Sequence, residues 1–203
     1  MLWGKGRAGV FVLELDMELD RELLAGAHRT PGPVQSVLGL AGFLLLCFAA
    51  AGAGIWSTPG SISTWYAGLT KPSFDPPNWV FAAVWTVQYT LMAVAAWLVW
   101  RTPRRLGRRG SLEAAVDPVG LARFDALIVF YLQLVLNFLW TPMFFHYHRL
   151  LVSSVMILAL WIAILFNIVM FWRVKPLAGA MLLPCLAGVS FATALNLMLL
   201  RLN

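Results

Sequence analysis

The chain has 203 residues, 61% of them hydrophobic and 12% charged, with a formal net charge of +6. A mean hydropathy of +0.78 exceeds what a water-soluble core of this length needs, so the apolar excess faces something other than water. The basic balance would suggest nucleic acid in a soluble protein, but the distribution of charge described below is topological, and no nucleic-acid partner is read from it.

Residues 1–36 form an N-terminal extension of different composition. ELDMELDRELL (14–24) alternates acidic and apolar residues, and GAHRTPGP then breaks any helix. The extension lacks the charged-then-apolar order and the cleavage site of a secretory signal. It reads as an amphipathic helix or a flexible tail, and Met17 offers an alternative start.

Five apolar runs follow, at about 37–55, 79–100, 124–145, 150–172 and 177–200. None contains Lys, Arg or Glu, and Asp125 is their only Asp. A bilayer core about 30 Å thick asks for roughly 20 such residues per helix. Helices satisfy their own backbone in lipid, whereas a barrel would need short alternating segments. The fold class is therefore an all-α membrane protein, a five-transmembrane-helix bundle over residues 37–203. The N-terminal segment, the second loop and the fourth loop share one side and hold twelve of the fifteen Lys and Arg residues. Only Lys71, Arg149 and Arg201 fall on the other. That asymmetry places the N-terminus in the cytoplasm and the C-terminus outside. The cluster Arg101, Arg104, Arg105, Arg108 and Arg109 suits anionic lipid headgroups.

Between the first two runs lies WYAGLTKPSFDPPNWVFAAVW (65–85). Its prolines fix φ and remove donors, stiffening a loop that has no secondary structure of its own. Trp56, Trp65, Trp79, Trp100 and Trp172 fall at span ends, where an interfacial belt accounts for them. Trp85 does not, because it lies roughly 9 Å further along the helix than Trp79. Trp140 is equally interior.

Polar groups inside spans are costly and turn toward the bundle interior. Trp85, Gln88, Tyr89 and Met92 share one face of the second span, and Gln133, Asn137, Trp140 and Phe144 share one face of the third. Ser190, Thr193 and Asn196 step along the fifth. Amides beside aromatic rings describe an aromatic-lined pocket for a flat, largely apolar ligand. The same amides would also serve as hydrogen bonds between helices. Two small-residue pairs, Ala50 with Gly54 and Gly188 with Ala192, suit close helix contacts within the chain or between copies.

No catalytic constellation emerges. Cys47 and Cys185 lie within apolar spans and form neither a disulfide framework nor a metal pattern. His146 and His148 flank Tyr147 in a tight turn, with no thiolate or carboxylate to complete a metal set. Nucleophile–base pairs, Gly-rich phosphate loops and paired intramembrane carboxylates are not found in the sequence.

The 65–85 stretch resembles the signature of the TspO/translocator protein family, also called tryptophan-rich sensory proteins or peripheral-type benzodiazepine receptors. The resemblance continues through YLQLVLNFLWTPMFFHYHR (131–149) and LAGAMLLPCLAGVSFATALN (177–196). It implies a five-helix bundle, commonly a homodimer, with a pocket open toward the first loop. Its implied ligand is a tetrapyrrole, porphyrin or haem, with no required cofactor; membrane lipid or sterol is a further implied partner. The implied roles are sensor, carrier or regulator; photochemical porphyrin degradation and sterol or lipophile transport are alternatives. By resemblance, Trp65, Tyr66, Trp85 and Asn137 match pocket positions, and Lys71, Pro72, Pro76 and Pro77 match the rim motif. Gln88, Tyr89, Gln133, Trp140 and Phe144 join them from the face analysis. The family's Tyr after the proline is Cys185 here, its pocket Trp is Gly188, and its late Trp is Leu200. Gly188 is accordingly expected to enlarge the cavity. Lys71 has two readings, a cation that meets a ligand carboxylate at the mouth or a solvated, headgroup-facing side chain.

Overall fold

The computed structural model describes residues 31–57, 60–103 and 118–203, together with Met17. The rest of the segment 14–24 and the Arg104, Arg105, Arg108 and Arg109 cluster lie outside the described residues. Within them the chain forms helices α1 (Pro33–Ser57), α2 (Trp65–Gly68), α3 (Asn78–Trp100), α4 (Pro118–Phe145), α5 (Leu150–Val174), α6 (Pro176–Met181) and α7 (Leu183–Leu202). Five stretches are long and apolar enough to cross a membrane: Pro33–Gly52, Trp79–Trp100, Val119–Phe145, Leu150–Val174 and Pro176–Leu202. The protein is an all-α bundle of five membrane-spanning segments.

Prolines mark several helix starts. Pro33, Pro118 and Pro176 begin α1, α4 and α6, where the missing N–H would have had no intrahelical partner anyway. The fifth span, expected as one run, is broken at Leu182. Pro184 offers no N–H to the carbonyl of Ala180, and Leu182 instead donates to the Gly179 carbonyl at 3.1 Å, tightening the backbone locally. Pro142 sits inside α4 without interrupting it. Its own carbonyl accepts from the N–H groups of both His146 and Tyr147, each at 2.9 Å. The chain then reverses through His148 at φ +54°, a conformation that histidine tolerates better than most residues.

The bundle closes as a ring. α1 packs on α3 and α4, α4 on α5, α5 on α6 and α7, and α7 returns to α3. Gly39 of α1 lies so close to Trp100 that a Cβ there would stand 2.6 Å from Cζ3 of the indole. Trp100 therefore anchors α3 against α1 rather than serving the lipid interface alone. Across the same end, Arg123 donates to the carbonyls of Trp100 and Thr102 at 2.9 and 3.1 Å, closing the C-terminus of α3.

The outer surface confirms the setting. Val37, Leu45, Val87, Leu132, Val155 and Phe166 are each more than half exposed, an apolar girdle that water would penalise and lipid would not. The inside carries Gln88, Gln133, Asn137, Ser153, Ser154, Asn167, Thr193 and Asn196, all buried. These eight polar groups thus face the bundle interior, where their cost in lipid is avoided, whereas Thr90, Asp125 and Ser190 of the spans are exposed.

Candidate functional site

A cavity of about 640 Å³ opens among α1, α3, α4 and α7, beneath the loop that leads from α1 to α3. It lies at the end of the bundle that also carries the His146–Arg149 turn. One wall is aromatic. Trp85 of α3 and Trp140 of α4 stack with centroids 6.0 Å apart and planes 21° from parallel. Trp140 continues the stack onto Phe144, at 5.5 Å and 19°. The order follows from the sequence, since Trp140 and Phe144 are four apart on one helical face. Tyr89, one turn beyond Trp85, closes the floor, its hydroxyl donating to Asn137 Oδ1 at 2.9 Å.

The opposite wall is contributed by Phe48 and Ala51 of α1 and by Ala192, Leu195, Asn196 and Leu199 of α7. Asn196 is its polar handle. Its Oδ1 accepts from Ser154 Oγ at 2.7 Å, which ties α7 to α5 and holds the amide in place. Phe81, Ala82, Thr86, Thr141 and Phe145 add to the lining, and Gly60, Ile62, Ser63 and Tyr66 line it from the loop side.

The loop is held over this end by a compact set of contacts. Tyr66 donates its hydroxyl to Asp75 Oδ1 at 2.7 Å. Lys71 pairs with Asp75 Oδ2 at 3.4 Å, and its ammonium lies 4.1 Å from the centre of the Tyr66 ring, a favourable cation–π position. Burial, and then the hydrogen bond and charge of Asp75, raise the Tyr66 pKa above the ordinary tyrosine value. Asp75 N–H returns to the Pro72 carbonyl at 3.1 Å, and Pro77 caps α3 by accepting from Val80 at 2.9 Å. Pro76 is partly buried between them. A second clasp comes from far along the chain: Thr70 N–H donates to Asn203 Oδ1 at 3.0 Å, and Asn203 Nδ2 donates to the Thr70 carbonyl at 3.2 Å. Phe74 meets Phe191 edge-on at 6.0 Å.

Of the residues singled out from sequence, Tyr66, Trp85, Tyr89, Trp140 and Phe144 line the cavity. Asn137 stands one layer behind, bonded to Tyr89. Trp65 also stands behind the wall, stacked on His148 at 4.2 Å and edge-on to Phe144 at 5.5 Å. Gln88, Gln133 and Gly188 are not part of the lining. Gln133 is fully buried, and neither its Oε1 nor its Nε2 has a hydrogen-bond partner. Trp140 Nε1 is likewise buried without an acceptor.

One expectation is corrected by this geometry. Gly188 does not enlarge the cavity, because the Gln88 side chain occupies the adjoining space and a Cβ at 188 would collide with its Nε2. Lys71, for which the sequence left a carboxylate-facing and a solvated reading open, pairs with Asp75 and lies over the Tyr66 ring. Sequence reasoning missed Phe48, Phe81 and Asn196 as lining. Asn196 carried a signal, a polar residue on a stepped face of the last span, whereas Phe48 and Phe81 look like any apolar residue in a lipid-facing run.

The free cysteines are both buried. Among the described residues, no group of three or more His, Cys, Asp or Glu side chains converges as a metal centre.

Residues 43–202 match the sequence profile of the TspO/MBR family. The chain belongs to the TspO/MBR family. Protein CrtK of Rhodobacter capsulatus is 37% identical over 161 residues, covering 79% of this chain and 90% of that protein. The translocator protein of Homo sapiens is 39% identical over 139 residues, covering 68% and 75% respectively. The tryptophan-rich sensory protein of Cereibacter sphaeroides is 32% identical over 161 residues, covering 79% and 89%. The TspO/MBR match starts in α1 and ends in α7, so the helices around the cavity fall within it. As a TspO/MBR protein with five apolar spans, this is a multi-pass membrane protein.

Proposed function

We propose that this TspO/MBR protein binds a tetrapyrrole, porphyrin or haem, in the cavity beneath the 60–77 loop, and acts as a membrane sensor, carrier or regulator. The observation that carries the reading is the stack of Trp85, Trp140 and Phe144 along one wall of a 640 Å³ cavity. Near-parallel rings extend their offset stacking to a flat conjugated ligand, and the volume is that of an ordinary small-molecule site. The names of the relatives, a sensory protein and a translocator protein, lend support to the coarser role.

The loop contacts support the same reading. A prolyl loop already closed by Tyr66, Lys71, Asp75 and Asn203 loses little further entropy when a ligand settles beneath it. The charge asymmetry supports an N-terminus in the cytoplasm, which puts the cavity and its loop on the outer side.

Titration of the purified protein in lipid nanodiscs with protoporphyrin IX, followed by its Soret absorbance, tests the proposal. Replacing Trp85 and Trp140 together by alanine removes two stacked rings, worth about 2 kcal/mol. Kd should then rise about 30-fold. Equal affinity in the double variant would remove the cavity from the account.

A further inference from the structure

Away from the cavity, two buried amides have no hydrogen-bond partner. Gln133 of α4 and Asn167 of α5 are each 0% exposed. The oxygen and the nitrogen of both side chains are without a partner. Buried polar side chains are nearly always satisfied by protein or by ordered water, so four such atoms call for a physical explanation.

The helix geometry places the two amides together. α4 and α5 are antiparallel neighbours joined by the tight turn after Phe145. Phe130 of α4 stacks on Phe171 of α5 with centroids 6.2 Å apart, which fixes the register between the helices. Gln133 follows Phe130 by three residues and Asn167 precedes Phe171 by four. Both steps return to the same helical face, and both lead toward the turn. At a rise of about 1.5 Å per residue, the two amides stand roughly 4.5 and 6 Å from the Phe pair, at nearly one level.

We infer that Gln133 and Asn167 form a buried hydration site between α4 and α5 that holds one water molecule. The donor and acceptor inventory selects that ligand. The amides offer two carbonyl oxygens as acceptors and two NH₂ groups as donors. Water donates twice and accepts twice, so a single molecule can serve all four groups. A cation would leave the NH₂ groups unserved, and an anion would leave the carbonyls unserved. Both amides are fully buried and neither lines the cavity, so the site is enclosed within the bundle. Water bound there ties α4 to α5 one turn from Asn137, whose bond to Tyr89 supports the cavity floor.

Two measurements on the full chain test the inference together. The first is a double-mutant cycle on thermal unfolding with Gln133→Leu and Asn167→Leu. Each single variant strands the other amide and should lower the apparent Tm by about 5 °C. The double variant, with both amides gone, should return to within about 2 °C of the parent. Single effects that simply add in the double variant would overturn the coupling. The second is an experimental structure of the native protein at a resolution that defines ordered water. Density for one water within hydrogen-bond distance of both side chains is the expected result. The two amides bonded directly to each other, or no density between them, would overturn the hydration site even if the cycle shows coupling.

Discussion

Gly188→Ala is the substitution whose outcome the geometry constrains most tightly. The added Cβ would collide with Gln88 Nε2 and stand 3.0 Å from Gln88 Cδ. Gln88 is buried, so its amide must swing into packed surroundings, and overpacking of this kind costs about 1–3 kcal/mol. Against that, alanine within a helix gains about 1 kcal/mol over glycine. The net expectation is a loss of about 1 kcal/mol, or roughly 3 °C in apparent Tm for a chain of this size. In a Gln88→Ala background the collision has no partner, and only the helical gain is left. The same Gly188→Ala change should there raise Tm by about 2–3 °C. Differential scanning fluorimetry on the four proteins reads the reversal of sign. A Gly188→Ala effect of the same sign in both backgrounds would refute the claim that Gln88 fills the space beside Gly188.

Other contacts give separate expectations. Asn203→Ala removes both bonds to Thr70, and hydrogen exchange should show the Thr70 amide losing about tenfold in protection, with little change in α3. The Tyr66–Asp75 contact has a defined pH response. Because the Tyr66 pKa is raised in the closed loop, its contribution is fully present below the ordinary tyrosine value of about 10 and is lost as pH rises through the folded value. A nitroxide on the exposed Ser73 should gain mobility only under strongly alkaline conditions, and Tyr66→Phe should remove that transition. Trp100→Ala should cost about 2–3 kcal/mol by opening the contact with Gly39. Trp79→Ala, at a ring 72% exposed, should change stability by less than about 0.5 kcal/mol.

The spans were legible in the sequence because lipid imposes a one-dimensional rule. Runs such as 150–172 need no partner to be recognised as helices, and the described α5 adds only a few residues at its end. The two aromatic faces were legible for the same reason, since steps of three and four put Trp140 and Phe144 on one stripe. What those faces do was less visible. Asn137 and Gln133 share that stripe, yet one holds Tyr89 behind the cavity floor and the other is buried away from the cavity with its amide unbonded. Helical spacing fixes the face of a residue but not the neighbour it meets. The clasp of Asn203 on Thr70 spans 133 positions, and no local pattern announces it. Gly188 was misread because the absence of a side chain at one position says nothing of a neighbour that fills the gap. The Lys71 partner Asp75 was in view four residues on, but only the folded loop turns the two together.

A structure of the protein with protoporphyrin IX at saturating concentration tests the central claim most directly. The account predicts one flat ligand under the 60–77 loop, in contact with Trp85, Trp140 or Phe144 and with its polar edge toward Asn196 or the loop. Ligand density confined to the lipid-facing surface, or an unoccupied cavity at that concentration, would contradict it.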